Sequence, residues 1–371
     1  MNTNSETQHA ESLQRNKYYQ GIMENKNNQE RKIRVAITHG DINGVGYETI
    51  IKTFADSRMF DICTPVLYGS SKVASYHKKL LASVQQEMNF NNLRDASEAQ
   101  DRKYNVVNLT QEEIKIDLGK STEIAGKLSR ESLNRACEDL KAGKVDVLVT
   151  APINKRNIQA PDFDFPGHTE YLSHQFGCSS LMMMVCDRIR IGIMTNHLAL
   201  KDVPGALTHN LLYDKIMLMN ESLKRDFGIT IPKIAVLALD PHAGDNGVIG
   251  DFDMKVIKPV IEEAQGKGVL AYGPFPSDGF FGSSEFNKFD GVLALYHDQG
   301  LIPFKLMSFT EGVNYTAGLP YVRTSPAHGT GYDIAGKDKA SEQSMRSAVY
   351  LACNILRNRQ EYDELTANPL K

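Results

Sequence analysis

The sequence predicts an α/β fold built on a mostly parallel β-sheet. Apolar, β-branched runs alternate with helical patterns along most of the chain, which is typical of βαβ units. The chain has 371 residues, of which 41% are hydrophobic, so it can bury a core large enough for two domains or one large α/β unit.

The first half of the predicted sheet precedes residue 151. Apolar runs predict strands at 34–38, 64–68 and 145–150, and helical patterns predict helices at 47–55, 71–86 and 130–142. Ser129 is placed to cap the third helix, and Gly143 to end it. Residues 89–120 are polar and irregular, which predicts loops and short strands.

The second half begins with a predicted hairpin at 181–185 and 190–195. Helices at 210–227, 253–266 and 341–358 and strands at 234–239 and 291–296 follow. Residues 1–31 are polar with few apolar anchors, which predicts a disordered extension with Met23 as an alternative start. We expect the ordered chain to begin at Lys32.

Composition excludes several classes of protein. A formal net charge of −3 without a run of Lys and Arg argues against a general nucleic-acid binder. The five cysteines form no CxxC pair, as in a reduced cytosolic protein. No apolar run reaches the length of a membrane span, and the N-terminus lacks the apolar core of a signal peptide. We therefore expect a soluble cytoplasmic protein.

Three predicted strands each have a histidine within three residues of their carboxyl end, namely His197, His242 and His297. Ligands gather beyond the carboxyl ends of strands in open α/β sheets, so the imidazoles converge if these strands are neighbours. Three imidazoles suit Zn²⁺ with one open position, whereas Mg²⁺ prefers carboxylates. Alternatively, each histidine only satisfies a local hydrogen bond. Asp245 and Asp298 either orient imidazoles or are surface carboxylates.

Residues 291–336 carry several candidate ligand-binding side chains. Lys305, Asn314, Arg323 and His328 follow an apolar strand in loops punctuated by glycine, as a site for a small charged ligand requires.

Two further segments are rich in polar groups. One contains Lys155, just after a predicted strand, and the other contains His168 and Thr169 at the apparent start of a helix. His168 and Thr169 can donate to a carboxylate or phosphate there. Alternatively, Thr169 is a helix cap and His168 a surface residue.

Two phosphate motifs are incomplete. Gly44 and Gly46 suggest GxGxxG, but Thr49 occupies the third glycine position. Gly119-Lys120-Ser121 suggests a P-loop, but Ile114 replaces its first glycine. The loop from Gly40 to Gly46 can still hold an anion on backbone amides, or can be only a tight strand-to-helix connection.

The segments GHTEYL, TNHLAL, DPHAGD, YHDQGLIPFK, GVNYTAGLPYVRTS and HGTGYDIAGK together resemble the 4-hydroxythreonine-4-phosphate dehydrogenase (PdxA) family of vitamin B6 synthesis. The likeness runs from about Arg34 to the last helix. That family is similar in fold to isocitrate and isopropylmalate dehydrogenases, which bind NAD without GxGxxG.

The resemblance implies two α/β domains, a homodimer and an active site in the interdomain cleft. We expect residues 32–150 with about 310–371 to form the first domain, and about 151–309 to form the second, which carries the metal ligands.

The resemblance also assigns roles to residues. It implies metal ligation by His197, His242 and His297, substrate contacts from His168, Thr169, Lys305, Asn314 and Arg323, and cofactor contacts from His328, Gly329 and Asp333. Asp333 would bind the ribose 2′-hydroxyl and repel the 2′-phosphate of NADP, so NAD is the expected cofactor. Zn²⁺ is the expected metal, with Co²⁺ or Mg²⁺ as alternatives.

The implied reaction is NAD-dependent, metal-assisted oxidation and decarboxylation of 4-phosphooxy-L-threonine to 3-amino-2-oxopropyl phosphate and CO₂. Lys155, Asp245 and Asp298 are the candidates for proton transfer. A paralogue acting on 4-phospho-D-threonate or 4-phospho-D-erythronate is the nearest alternative, followed by a three-histidine metallohydrolase and a binding protein without activity. His39, Asp240, Gly279 and Ala327 depart from the family pattern, which bears on cofactor affinity and substrate identity.

Overall fold

The computed structural model of the protein describes residues 31–367, apart from residues 111, 162 and 309. Its centre is a 12-stranded sheet in the order β3-β4-β2-β1-β5-β12-β11-β6-β7-β10-β8-β9. The strands are β1 (Ile33–Thr38), β2 (Cys63–Gly69), β3 (Phe90–Leu93), β4 (Tyr104–Asn108), β5 (Val147–Thr150), β6 (Leu181–Cys186), β7 (Ile189–Thr195), β8 (Lys233–Leu237), β9 (Leu270–Phe275), β10 (Gly291–Tyr296), β11 (Val313–Ala317) and β12 (Val322–Pro326).

The α-helices connect these strands and cover the sheet. They are α1 (Gly46–Ala55), α2 (Met59–Ile62), α3 (Ser71–Lys79), α4 (Glu123–Lys141), α5 (His168–Phe176), α6 (Val203–Ala206), α7 (His209–Arg225), α8 (Lys258–Gly266), α9 (Ser277–Gly282), α10 (His297–Met307) and α11 (Gln343–Thr366). Short 3₁₀ turns occur at Ala96–Glu98, Leu200–Asp202, Pro241–Gly247 and Glu285–Lys288, and a π turn at Asp253–Ile257 leads into α8.

The sheet is mostly parallel, and its two halves run in opposite directions. The six strands from β3 to β12 are mutually parallel, as are β7, β10, β8 and β9. Antiparallel ladders join β12 to β11, β11 to β6 and β6 to β7. The predicted mixed α/β fold with a mostly parallel sheet and the predicted β6–β7 hairpin are confirmed. The centre of the sheet is therefore a join between two oppositely directed parallel arrays.

Buried apolar residues fill both faces of the sheet. All seven residues of β2 are buried, as expected for a parallel strand covered by helices on both sides. A buried ion pair also links the last helix to the sheet. Arg359 of α11 donates to Asp226 over 2.6 Å, and Asp226 also accepts from the Tyr315 hydroxyl of β11. The last helix is thus fixed to the central strands.

Several predicted boundaries were wrong. Helix α4 begins at Glu123 and is capped by Thr122, whose hydroxyl accepts from Ala125 N. Ser129, predicted as its cap, lies inside the helix and donates to the carbonyls of Gly40 and Ala125. The apolar pattern of the first two turns is weak, which hid this start. Helix α11 extends to Thr366, whereas α3 ends at Lys79, before residue 86.

Most of the predicted N-terminal extension, including Met23, lies outside the described residues. Arg31, its last residue, pairs with Asp146 over 2.7 Å. No helix in the described part of the chain has the length and apolar character needed to cross a membrane. The domain boundaries near residues 150 and 310 stay a prediction.

Candidate active site

A cavity of about 220 Å³ lies over the central strands. Its floor comes from alternate residues of neighbouring strands: Thr150, which ends β5, Arg323 and Ser325 of β12, Asn314 of β11 and Met184 of β6. Asn314 pairs with both Ser325 and Met184 in the antiparallel ladders, so these side chains share one face. The cavity therefore sits where the two halves of the sheet meet.

Arg323 is a fully buried cation in this floor. Its guanidinium donates to three hydroxyl oxygens, those of Thr150, Thr316 and Ser325, over 2.6–3.1 Å. No carboxylate among the described residues forms an ion pair with it. Burial lowers the pKa of Arg323, yet a guanidinium stays charged at neutral pH. Hydroxyls do not neutralise this charge, so the site favours an anion.

Helix α5 provides one wall of the cavity. His168 and Thr169 are its first residues, as predicted, and follow Gly167, which has extended backbone. His168 Nε2 and Asn314 Oδ1 are buried and lack a hydrogen-bond partner in the described structure. Burial, with the charges of Arg323 and Lys155, lowers the pKa of His168, so its imidazole is neutral. Two buried polar atoms are thus available to a ligand.

His197 and His297 come together at the cavity wall. They follow the adjacent parallel strands β7 and β10, and their ring centroids are 6.2 Å apart. His297 Nδ1 contacts Asp298 Oδ1 over 2.7 Å, and His197 Nδ1 contacts Glu170 Oε1 over 3.1 Å. Each imidazole therefore has a carboxylate at Nδ1, which is the usual support of a histidine that binds metal through Nε2.

Glu170 and Lys155 contact the two ring nitrogens of His197, one each. Lys155 Nζ is 2.9 Å from His197 Nε2, and Asn196 also donates to Glu170 Oε1 over 3.3 Å. Burial would raise the pKa of Glu170, but the hydrogen bonds from His197 and Asn196 lower it to about 2. The carboxylate is therefore ionised at neutral pH.

His242 does not join this pair. Strand β8 is a neighbour of β10, as the convergence hypothesis required. After β8, however, the chain enters a left-handed turn in which His242, Ala243, Asp245 and Asn246 all have φ between 43° and 54°. His242 is exposed and is absent from the cavity lining. Among the residues that the structure describes, no group of three or more His, Cys, Asp or Glu side chains is arranged to hold a metal.

Lys305 lies on helix α10, where the sequence had predicted a loop. This helix begins directly after β10, at His297, and continues through Pro303. It brings Lys305 to the cavity lining, to which His297 also belongs. Asn314 and Arg323 likewise lie on strands rather than on glycine loops. Of the three candidates for proton transfer, Lys155 lines the cavity, Asp298 contacts His297, and the exposed Asp245 does neither.

The predicted cofactor loop is close to the cavity at one end. His328 and Gly329 line the cavity, whereas Asp333 is exposed beyond it. The Tyr332 hydroxyl in this loop donates to Asp41 Oδ2 over 2.7 Å and accepts from Asn154 over 2.9 Å. The loop is thereby joined to the segment that carries Lys155.

The first loop, Gly40 to Gly46, is a tight connection rather than an open anion cradle. Its residues are buried. Three of its amides are already used, since Asp41 N donates to Pro152 O, Gly44 N to Asp41 O and Val45 N to Thr330 O. The structure therefore fits the second of the two interpretations that the sequence left open, a tight strand-to-helix connection.

Three contributors were missed by sequence reasoning. Thr150 and Ser325 supply hydroxyls to Arg323, and Glu170 supplies the carboxylate to His197. Glu170 stands two residues after His168 in the first turn of a helix, where an acidic residue is usually attributed to the helix dipole. The position of the Glu170 carboxylate, next to the predicted ligand-binding pair His168 and Thr169, was the signal that could have identified it.

The chain is similar to known proteins over most of its length. The sequence profile of the family described as pyridoxal phosphate biosynthetic protein PdxA matches residues 61–352. The chain is 49% identical over 345 residues to a 4-hydroxythreonine-4-phosphate dehydrogenase of Bacteroides thetaiotaomicron, covering 92% of this chain and 94% of the relative. It is 37% identical to the enzyme of that name from a Sulfurihydrogenibium species, covering 88% and 100%.

A solved structure is similar as well. The crystal structure of 4-hydroxythreonine-4-phosphate dehydrogenase from Klebsiella pneumoniae superposes with a TM-score of 0.76 at 32% identity, covering 89% of this chain and 99% of that one. A terephthalate 1,2-cis-dihydrodioldehydrogenase from Burkholderia xenovorans shares the fold, with a TM-score of 0.58 at 23% identity and coverage of 87% and 98%.

Proposed function

The chain belongs to the PdxA family of pyridoxal phosphate biosynthetic proteins, and we propose that it oxidises and decarboxylates 4-phosphooxy-L-threonine with NAD. The products are 3-amino-2-oxopropyl phosphate, CO₂ and NADH. The relatives that this chain matches over nearly their full length bear the name of that dehydrogenase.

The observation that carries the proposal is the buried guanidinium of Arg323. It lies in the cavity floor with hydroxyl partners only, so its charge favours an anionic ligand. Lys305 and Lys155 add two cations to the lining, and Glu170 is its only Asp or Glu among the described residues. A substrate with a phosphate and a carboxylate matches this excess of positive charge.

His197 and His297 fit part of a site for a divalent metal. Each presents an imidazole whose Nδ1 is held by a carboxylate, which favours metal binding through Nε2. A cation bound there supplies Lewis-acid stabilisation of the negative charge that develops on the substrate oxygen in both steps. Imidazole ligands suit Zn²⁺, which is the metal we propose, with Co²⁺ or Mg²⁺ as alternatives.

We infer that His242 of a second copy completes the metal site. Within one chain His242 lies apart from the other two histidines. Exposed apolar side chains occur in the segments that follow each histidine: Leu198 and Leu200, Val248 and Ile249, and Ile302 and Leu306. Apolar residues clustered around a site are typical of a surface that is covered in the assembly. A homodimer with the site at its interface explains both observations.

The reaction needs groups that bind and groups that move protons. Oxidation removes a hydride from C3 and the proton of its hydroxyl, and leaves a ketone β to the carboxylate. Loss of CO₂ then leaves an enolate whose C2 takes up a proton. NAD supplies the hydride acceptor, for which we propose the loop with His328, Gly329 and Asp333. Of the proton-transfer candidates, Lys155 lines the cavity, and we assign it the protonation of C2.

Asn314, His168 and Thr169 hold the substrate in this scheme. The partnerless His168 Nε2 and Asn314 Oδ1 gain hydrogen bonds when the substrate binds, which offsets the cost of their burial. Because His168 is neutral, its imidazole presents one donor and one acceptor rather than a second cation.

NADH formation by the purified protein tests the function. The protein receives NAD and Zn²⁺ or Co²⁺, and is offered 4-phosphooxy-L-threonine or 4-phospho-D-threonate in separate reactions, with and without a chelator. We expect metal-dependent NADH formation with the first substrate. Activity with the second substrate alone would move the protein to the sugar-acid branch of the family. No NADH with either substrate would refute the assignment.

A further inference from the structure

The imidazole of His197 lies between an acceptor and a donor. Its Nδ1 is 3.1 Å from Glu170 Oε1, and its Nε2 is 2.9 Å from Lys155 Nζ. An ionised carboxylate only accepts hydrogen bonds, and an ammonium only donates them. Both contacts therefore require the same neutral tautomer, with the proton on Nδ1 and the lone pair on Nε2. This is the tautomer that a metal bound through Nε2 needs.

Glu170 is well placed to hold this tautomer. It occupies the first turn of α5, and Asn196 Nδ2 donates to the same Oε1 atom over 3.3 Å, which fixes the carboxylate. Its second oxygen, Oε2, is buried and has no hydrogen-bond partner in the described structure.

A second acceptor lies near the Lys155 ammonium. A methyl group added to Gly167 would lie 3.5 Å from Glu170 Oε2 and 3.9 Å from Lys155 Cε, so both groups border one small space. If Lys155 leaves His197 Nε2, its flexible side chain can therefore reach Oε2. The carboxylate can hold the imidazole through one oxygen and receive the ammonium through the other.

We propose that Glu170 positions His197 for metal binding by fixing the Nδ1–H tautomer, and that the Lys155 ammonium occupies the Nε2 lone pair until the metal replaces it. This inference rests on the proposed function, because it takes His197 as a metal ligand. It makes metal binding release Lys155, the residue to which we assign a proton transfer.

The tautomer is tested by nitrogen-15 NMR of the histidine side chains in metal-free protein at pH 8, where a free imidazole is neutral. We expect the His197 proton on Nδ1 in wild type. It stays there in Lys155→Met, because Glu170 still accepts from Nδ1. In the double variant Lys155→Met with Glu170→Gln the two tautomers become mixed. A proton on Nε2 in wild type or in Lys155→Met would overturn the inference.

Metal affinity tests the same inference without an activity assay. Calorimetric titration of the metal-free protein with Co²⁺ compares wild type, Glu170→Gln and Lys155→Met. We expect Glu170→Gln to bind Co²⁺ about 10–100-fold more weakly, as for other carboxylates that support a metal-binding histidine. Lys155→Met should bind about tenfold more tightly, because a competing hydrogen bond is gone. Because the two variants are expected to change Co²⁺ affinity in opposite directions, the result distinguishes the positioning of His197 from a general loss of structure.

Asp164→Asn is the matched control. Asp164 is exposed, lies in the segment just before α5, and is absent from the cavity lining, so its loss removes the same charge without touching His197. Its Co²⁺ affinity should equal that of wild type. If wild type binds Co²⁺ but neither variant differs from it, the inference fails and the proposed function stands. If wild type binds no Co²⁺, the metal in the proposed function fails as well.

Discussion

Two nitrogens of the Arg323 guanidinium donate to one hydroxyl oxygen, Thr150 Oγ1, over 3.1 Å from Nε and 2.6 Å from Nη2. Thr150 ends β5 and Arg323 belongs to the adjacent β12, so the contact links neighbouring strands. The threonine hydroxyl thus sets the direction of the buried cation.

Thr150→Val keeps the volume of this side chain and removes its hydroxyl. We expect kcat/KM for the phosphorylated substrate to fall about 10–100-fold, because a charged donor loses a buried acceptor worth about 1.5–3 kcal/mol. Steady-state kinetics measure the change, and Thr150→Ser, which keeps the hydroxyl, is the control. Wild-type kcat/KM in Thr150→Val would contradict this role of Thr150.

Tyr332→Phe removes the hydroxyl that joins the proposed cofactor loop to Asp41 and Asn154. We expect KM for NAD to rise about tenfold, since a hydrogen bond to a carboxylate and one from an amide are lost, with little change in kcat. Tyr350→Phe, on the outer surface of α11, should leave KM unchanged. An unchanged KM in Tyr332→Phe would show that this loop does not serve NAD.

Buried imidazoles predict acid sensitivity. Burial lowers the pKa of His39 and of His77 from 6.5 to about 4. The unfolded chain therefore binds more protons than the folded protein between pH 6.5 and 4, so the free energy of unfolding decreases as pH falls through this window. The loss is about 2 kcal/mol per histidine at pH 5. Urea denaturation at pH 7 and pH 5 measures it.

His77→Gln tests the source of this sensitivity. The glutamine amide can replace the contact of His77 Nε2 with the Ile42 carbonyl, which is 2.9 Å long, without titrating. We expect the difference in unfolding free energy between pH 7 and pH 5 to shrink by about 2 kcal/mol. The same pH dependence as in wild type would exclude His77 as its source.

Mixed dimers test whether the metal site is shared between two copies. His197→Ala and His242→Ala should each be inactive alone. After joint unfolding and refolding, half of the dimers are mixed, and each mixed dimer has one intact composite site. We therefore expect about a quarter of wild-type activity. If all three ligands come from one chain, mixing restores nothing.

The sequence predicted the sheet better than the site. Strong apolar runs located β1, β2, β7 and β10, and the adjacency of β7 and β10 brought His197 and His297 together as expected. His242 stands at the end of a neighbouring strand too, but a left-handed turn carries it away. Such a turn requires a run of consecutive residues at positive φ. His, Asp and Asn adopt this conformation more readily than other non-glycine residues, but usually singly, so the length of the run was not predictable from the sequence.

The cavity floor illustrates a second limit. Lys305 was expected in a loop, because glycines punctuate this stretch, yet α10 continues through both Gly300 and Pro303. Thr150 and Arg323 are 173 residues apart in the chain, and their hydrogen bonds depend on the pairing of β5 with β12. Pairing partners this distant are set by the whole fold, so residue patterns alone cannot supply them.

The strand order has a consequence for synthesis. Strands β5 and β6 are separated in the sheet by β12 and β11, which come from residues 313–326. Until those residues leave the ribosome, the two arrays have no ladder between them, and β5 and β6 are open edges. Asn314 and Arg323 arrive with the strands that close this gap. A nascent chain therefore completes its sheet and its ligand-binding floor in the same late step.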